Sequence, residues 1–137
     1  MILHNDAVDA ILTRRSIRSY QVKQISEDAL ETILTAGQFA PSGMNQQSAK
    51  AIVIQSKEWM QQLVQLAKAA EQVDHNPFYD APTVILLFAD ATQLAPIEDG
   101  CNVLENMMLA AHAKLIVDYK YEAVKKKKRA KADICDC

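Results

Sequence analysis

The residues Thr83-Val84-Ile85-Leu86-Leu87-Phe88 are apolar without alternation, a pattern that suits a strand buried on both faces. Helical patterns surround it. Lys57 to Ala70 carries Trp59, Leu63, Leu66 and Ala70 at spacings of four and three, which predicts an amphipathic helix. Pro96, tolerated in a first helical turn, opens a longer helix to about Ala113, with Val103, Leu104, Met107, Met108 and Ala111 apolar. Nearer the N-terminus, Val8, Ile11 and Leu12 recur at helical spacing between Asp6 and Thr13, and Asn5 or Asp6 is placed to cap the first turn. The next helix begins at a Ser26 cap, carries Glu27 and Asp28 at its positive end and shows Leu30, Ile33 and Leu34 as its stripe. Gly37 reads as its natural stop. Ala51 to Gln55 is a short β-branched run and the second predicted strand, while Ala40 to Asn45 and Asn76 to Pro82 read as loops. Helices and buried strands therefore alternate, and the class is α/β or α+β.

Composition agrees with that class. The 137-residue chain has only 3 Gly and 4 Pro, which argues against a many-turned β-sandwich, and its length fits one domain over residues 1–137. A hydrophobic fraction of 50% excludes global disorder and implies, on so short a chain, apolar surface buried against a second copy. The net charge of −2 gives no bulk attraction to nucleic acid or to an anionic membrane. Met1-Ile2-Leu3-His4-Asn5-Asp6 shows no signal-peptide pattern. The longest apolar run, Val84 to Ala89, falls far short of the ~20 residues that span a bilayer. Cys101, Cys135 and Cys137 form an odd set with no framework spacing and read as reduced thiols of a cytoplasmic protein.

Charge is unevenly placed within this near-neutral total. Arg14-Arg15-Ser16-Ile17-Arg18-Ser19-Tyr20 follows the first helix, and its guanidinium and hydroxyl groups can make bidentate, charge-assisted bonds to a phosphate. The same residues also fit a solvated helix end, with cations near the negative dipole. Pro41-Ser42-Gly43-Met44-Asn45-Gln46-Gln47 is a small polar loop with exposed amides and hydroxyls, suited to a planar heterocycle or to a plain connection. Lys125 to Lys128, Arg129 and Lys131 could clamp a phosphate, bind nucleic acid or simply aid solubility. His4, His75 and His112 have no metal-ligand spacing, so no metal is expected. No dinucleotide or Walker-type glycine motif occurs, and Ser42 lacks the flanking glycines of a nucleophile elbow. Asp99 and Glu105, on the long helix, read as capping or surface charges.

The order of these pieces carries more than any one of them. The Arg-Arg-Ser-Ile-Arg-Ser-Tyr stretch after a short helix, a Ser-Glu-Asp helix start, Ala-Pro-Ser-Gly-Met-Asn-Gln-Gln before a strand, and the run from Asp99-Gly100-Cys101-Asn102 to His112 together resemble the nitroreductase family of flavoproteins. The resemblance runs from about residue 7 to residue 113 and resumes in the basic tail. It implies an α+β fold with a central mixed sheet flanked by helices, an intertwined homodimer, and FMN in two sites at the dimer interface. Arg14, Arg15, Ser16 and Arg18 would lie at the ribityl-phosphate end, and Pro41, Ser42, Gly43 and Asn45 would approach the flavin from the other subunit. Lys127 and Arg129 would add phosphate ligands. After Ala113 the sequence departs from the family: Lys114-Leu115-Ile116-Val117-Asp118-Tyr119 arrives at once, and about 30 to 50 residues are missing against usual domain sizes.

The implied activity is hydride transfer from NADH or NADPH, through FMN, to a nitroaromatic, a quinone or a similar small acceptor. The cofactor would carry the chemistry and no side chain need act as a catalytic nucleophile. Because the missing stretch would lie beside the reactive flavin atom, a flavin-binding protein of the same fold with little or no turnover is the alternative. A nucleic-acid-associated domain rests on the lysine tail alone, which has no interleaved aromatic residues. Neither nucleic acid nor membrane is an expected partner.

Overall fold

A computed structural model describes residues 4–118, with side chains described through residue 113. In chain order it contains α1 (Asp6–Thr13), α2 (Glu27–Gln38), a single 3-10 turn (Gly43–Asn45), β1 (Ala49–Ile54), α3 (Lys57–Glu71), β2 (Val84–Ala89) and α4 (Pro96–Asp118). The caps act as the sequence predicts. The Asn5 side chain accepts from the Val8 amide at 2.9 Å, and the Ser26 hydroxyl accepts from the Ala29 amide at 3.3 Å. The predicted helix end at Ala113 falls short, since α4 continues to Asp118.

Helix α4 packs against α1, α2, β1 and β2, so it is the element on which these four converge. Its contact with α2 forms the core. Ala29, Ile33 and Gly37 lie four residues apart on one stripe of α2 and are buried there, facing a helix that contributes the buried Met107. Gly37 is therefore not the stop that its type suggests. It lies inside α2, which ends one residue later, and its missing side chain makes room for α4. A Cβ at this position would lie 2.6 Å from Met107 Cε, 3.0 Å from Met107 Cγ and 3.2 Å from Val103 Cγ1. One polar bond reinforces the contact, as the Asn106 side-chain amide donates to the Ala36 carbonyl at 3.1 Å.

The two strands pair antiparallel, from Ala49 opposite Ala89 to Ile54 opposite Val84. They are joined through α3 rather than by a tight hairpin. Among the described residues the sheet consists of these two strands, so the parallel pairing that a mixed sheet requires does not occur among them. The expectation of a strand buried on both faces also needs correction. Val84 is buried and Ile85 to Leu87 are half-buried, but Phe88 is 54% exposed, because α4 alone does not cover the far end of the ladder. What the register does fix is the location of the loops. The Asp90 amide donates to the Ser48 carbonyl at 3.1 Å, so the segment entering β1 lies beside the segment leaving β2.

The two helical glycines make a matched test. In Gly37→Ala, overpacking of about 1–3 kcal/mol outweighs a helix-propensity gain of about 1 kcal/mol, so the urea midpoint should fall. In Gly100→Ala, where a Cβ meets nothing within 4 Å, only the gain remains and the midpoint should rise. Equal shifts in the two variants would contradict the close α2–α4 contact.

Candidate functional site

Two groups of sequence-predicted residues sit against the two ends of α4. At its start, the loop from Pro41 to Ser48 wraps the first turn. The Asp99 carboxylate is 2% exposed and collects the polar groups of that loop. Its Oδ1 accepts from the Gly43 amide at 2.8 Å, and its Oδ2 accepts from the hydroxyls of Ser42 and Ser48, each at 2.9 Å. The Ser42 hydroxyl in turn accepts from the Gln47 amide at 2.8 Å. The Gln46 side chain accepts from the Leu94 amide at 2.9 Å, and Asn102 donates to the Pro41 carbonyl at 3.3 Å. The loop is tied at each end and at its centre.

This geometry corrects two readings of the sequence. Of the capping or surface role expected for Asp99, the surface charge is ruled out, and the Ser42 hydroxyl and Gly43 amide do not point to solvent as free groups. The Gly43 amide holds the Asp99 carboxyl below the usual carboxylate range, burial opposes that shift, and the Ser42 and Ser48 hydroxyls add to it. Nothing local in the sequence announces the contact, because the partners lie 51 to 57 residues from Asp99 along the chain. The only available signal was an acid in the first turn of a helix, where the dipole favours it. Within the loop, Met44, Asn45 and Gln47 all have positive φ, at 51°, 57° and 49°. Asn tolerates this region, but Met44 and Gln47 each cost roughly 1–2 kcal/mol of backbone strain that the bonds to Asp99 and Ser42 must offset.

The basic cluster lies toward the other end of α4. The His112 Nε2 is 2.9 Å from the Thr13 hydroxyl, whose own proton goes to the Asp9 carbonyl. Since that carbonyl can only accept, His112 donates through Nε2. The bond sets the end of α1, and hence Arg14, against the distal part of α4. Burial lowers the His112 pKa first, and the like charges of Arg14 and Arg15 lower it further. Arg15 also turns back to donate to the Leu12 and Arg14 carbonyls, at 2.9 and 2.6 Å, which caps the negative end of α1. Arg18 lies 6.0 Å from the centre of the Tyr79 ring, a cation–π contact to the turn before β2. Ser16 and Arg18 are exposed and Arg14 is half-buried. The structure thus keeps Arg14, Arg15, Ser16 and Arg18 on one segment but gives Arg15 and Arg18 partners within the chain.

Asp99 and His112 are thirteen residues apart on one helix, which separates the loop from the basic cluster by ~20 Å along its axis. No single small polar group can touch both in one chain. Lys127 and Arg129 lie outside the described residues. Among the described residues, no group of three or more His, Cys, Asp or Glu side chains is arranged to hold a metal ion. No helix among them is long and apolar enough to cross a membrane.

Residues 11–114 match the model of the nitroreductase family. The provisionally named NADH dehydrogenase/NAD(P)H nitroreductase of Methanothermobacter thermautotrophicus is 30% identical over 112 residues, covering 79% of this chain and 56% of that protein. The FMN reductase [NAD(P)H] of Bacillus subtilis is 33% identical over 86 residues, 63% of this chain and 32% of the relative. The chain spans about half the length of the curated relatives it matches, or less. Among solved structures, the nitroreductase with bound FMN from Bacteroides fragilis superposes with a TM-score of 0.76 at 29% identity, covering 81% of this chain and 66% of that one. The FMN-bound nitroreductase of Desulfitobacterium hafniense gives 0.70 at 30% identity, with 82% and 67% covered.

The placement of Arg14 and Arg15 predicts the titration of His112. Its NMR midpoint should lie below the ordinary value of about 6.5. Replacing both arginines by alanine should raise the midpoint, while burial keeps it below the ordinary value. The linked stability follows in sign: the contribution of the neutral ring is complete above about pH 6.5 and is lost as pH falls through the folded midpoint. A midpoint that ignores both substitutions would remove the guanidinium groups from the ring's surroundings.

Proposed function

Because the chain belongs to the nitroreductase family, we propose that it is an FMN-dependent oxidoreductase that takes a hydride from NADH or NADPH and passes it to a small acceptor such as a nitroaromatic or a quinone. The observation that carries this reading is the pairing of a guanidinium-and-hydroxyl cluster with a constrained amide loop at opposite ends of one helix. The donor chemistry fits the group. Arg14, Arg15, Ser16 and Arg18 supply cationic and hydroxyl donors for a phosphate, and the loop from Pro41 to Asn45 offers the exposed Asn45 side-chain amide to a flat heterocycle. Lys127 and Arg129 are proposed as further phosphate ligands.

FMN, when bound, supplies the hydride-accepting and hydride-donating chemistry. The chain's own task is to bind, orient and shield. Arg14 is the best placed for the phosphate, since no bond within the described residues engages its guanidinium, whereas Arg15 caps α1 and Arg18 rests over Tyr79. Asp99, which holds the loop, and His112, which holds the end of α1, are ~20 Å apart along α4, which supports a site completed by the loop of a second subunit. Exposed apolar side chains agree with such a homodimer: Phe39 is 83% exposed, Met44 81% and Ile97 76%, all close in sequence or space to the loop and the start of α4. A cytoplasmic setting, where a thiol such as the exposed Cys101 stays reduced, fits the same reading. Flavin binding with little turnover is the second reading.

Purified protein should carry yellow, stoichiometric flavin and oxidise NADH or NADPH with a quinone or nitroaromatic present. Flavin without turnover would select the second reading, and no flavin would sink both. Arg14→Ala should weaken FMN binding by about tenfold or more, as expected for a charge-assisted bond of roughly 1.5–3 kcal/mol. Dilution should release FMN and monomers together in sedimentation velocity followed at the flavin band. A flavin-saturated monomer would overturn the shared site.

A further inference from the structure

We infer that Asp99 is a positioning residue that holds the loop from Ser42 to Ser48 in the one conformation able to present Asn45 and the Met44 backbone to the flavin. The inference rests on the FMN reading proposed above and divides that loop into supporting and contacting parts. Ser42, Gly43 and Ser48 form the support. Their hydroxyls and amide are spent on Asp99 or on Gln47, and Ser48 is 4% exposed. Asn45 and Met44 form the contacting part. Both are exposed, and no side-chain hydrogen bond engages the Asn45 amide within the described residues.

The backbone shows why an anchor is needed. Met44, Asn45 and Gln47 adopt left-handed φ values without the freedom of glycine. A free loop of this composition would relax toward negative φ and turn the Asn45 side chain elsewhere. Asp99 prevents this because its two oxygens bond to groups on both sides of the strained residues, Gly43 and Ser42 before them and Ser48 after. The Ser42 hydroxyl extends the hold to the amide of Gln47, itself in the strained set. The carboxylate can serve this purpose while buried, because it sits in the first turn of α4 and every bonded partner is a donor.

The chemistry also separates geometry from charge. An Asp99→Asn amide keeps an oxygen for the Gly43 N–H and offers N–H donors to the Ser42 and Ser48 oxygens, which have lone pairs to accept them. An Asp99→Ala methyl offers neither. Amide exchange in the flavin-free protein and FMN titration by fluorescence quenching, run on the same preparations, decide the matter. Asp99→Ala should speed exchange at Gly43 and Gln47 while α2 and the middle of α4 stay protected, and should raise the FMN Kd by about tenfold or more. Asp99→Asn should restore slow exchange and bring the Kd to within roughly threefold of wild type. If Asp99→Ala does not fold, Ser42→Ala carries the same test, with faster exchange at Gln47 and weaker FMN binding expected.

Unchanged loop exchange in Asp99→Ala, or a loosened loop with wild-type FMN affinity, would overturn the assignment. Equal loss in Asp99→Ala and Asp99→Asn would also overturn it, since charge and not geometry would then be the requirement. A wild-type chain that binds no FMN would refute the flavin reading itself. That outcome is distinct from one in which the wild type binds FMN and Asp99→Ala binds it equally well.

Discussion

The close contact between α2 and α4 at Gly37 is the constraint from which the rest of the arrangement follows. With no side chain at that point, the Met107 and Val103 side chains can lie against the α2 backbone, and Asn106 can reach the Ala36 carbonyl. Once α4 is fixed on α2, its flanks receive the two strands and α1. Interiors close-packed to this degree transmit small volume changes, so a single methyl at the contact displaces a helix that four other elements use as their reference.

Helix α4 then works as a ruler. Its first turn carries a carboxylate that gathers the polar loop entering β1, and its distal part carries an imidazole that locates the end of α1 and the arginines beyond it. The macrodipole favours the first arrangement, since a carboxylate belongs at the positive end of a helix. The second lies where burial and the like charges of Arg14 and Arg15 both lower the His112 pKa. Two polar neighbourhoods are thus separated by a rigid distance of ~20 Å. In the proposed dimer that separation becomes useful, since each flavin would take its phosphate contacts from one copy and its ring contacts from the other.

The antiparallel register contributes less energy than position. Half-buried side chains on β2 and an exposed Phe88 show that the ladder is only partly covered within the described residues. Yet pairing Ala49 with Ala89 brings Ser48 beside Asp90, where the turn into α4 starts. Asp90 stabilises that turn itself. Its carboxylate accepts from the Thr92 hydroxyl and amide and from Gln93, which lowers its pKa to about 2. A slip of one residue would exchange the faces of the strand and carry Ser48 away from Asp99.

Local order was legible because it depends on near neighbours. Caps at Asn5 and Ser26, the helical stripes and the two strands follow from spacings of two to four residues, and every element except the end of α4 lies close to its expected limits. The resemblance carried by the ordered motifs also named the family that the matched residues 11–114 bear out. What the sequence could not disclose were relations across long separations. Gly37 looked like a helix stop because its role depends on Met107, and Asp99 looked like a capping or surface charge because its partners are more than fifty residues away. The local chain sets φ and ψ preferences and hydrophobic period, whereas burial and hydrogen-bond partners arise only when distant segments meet. The identity of the candidate residues was therefore written in the sequence, and the division between those that support the loop and those left free to bind was decided by the tertiary fold.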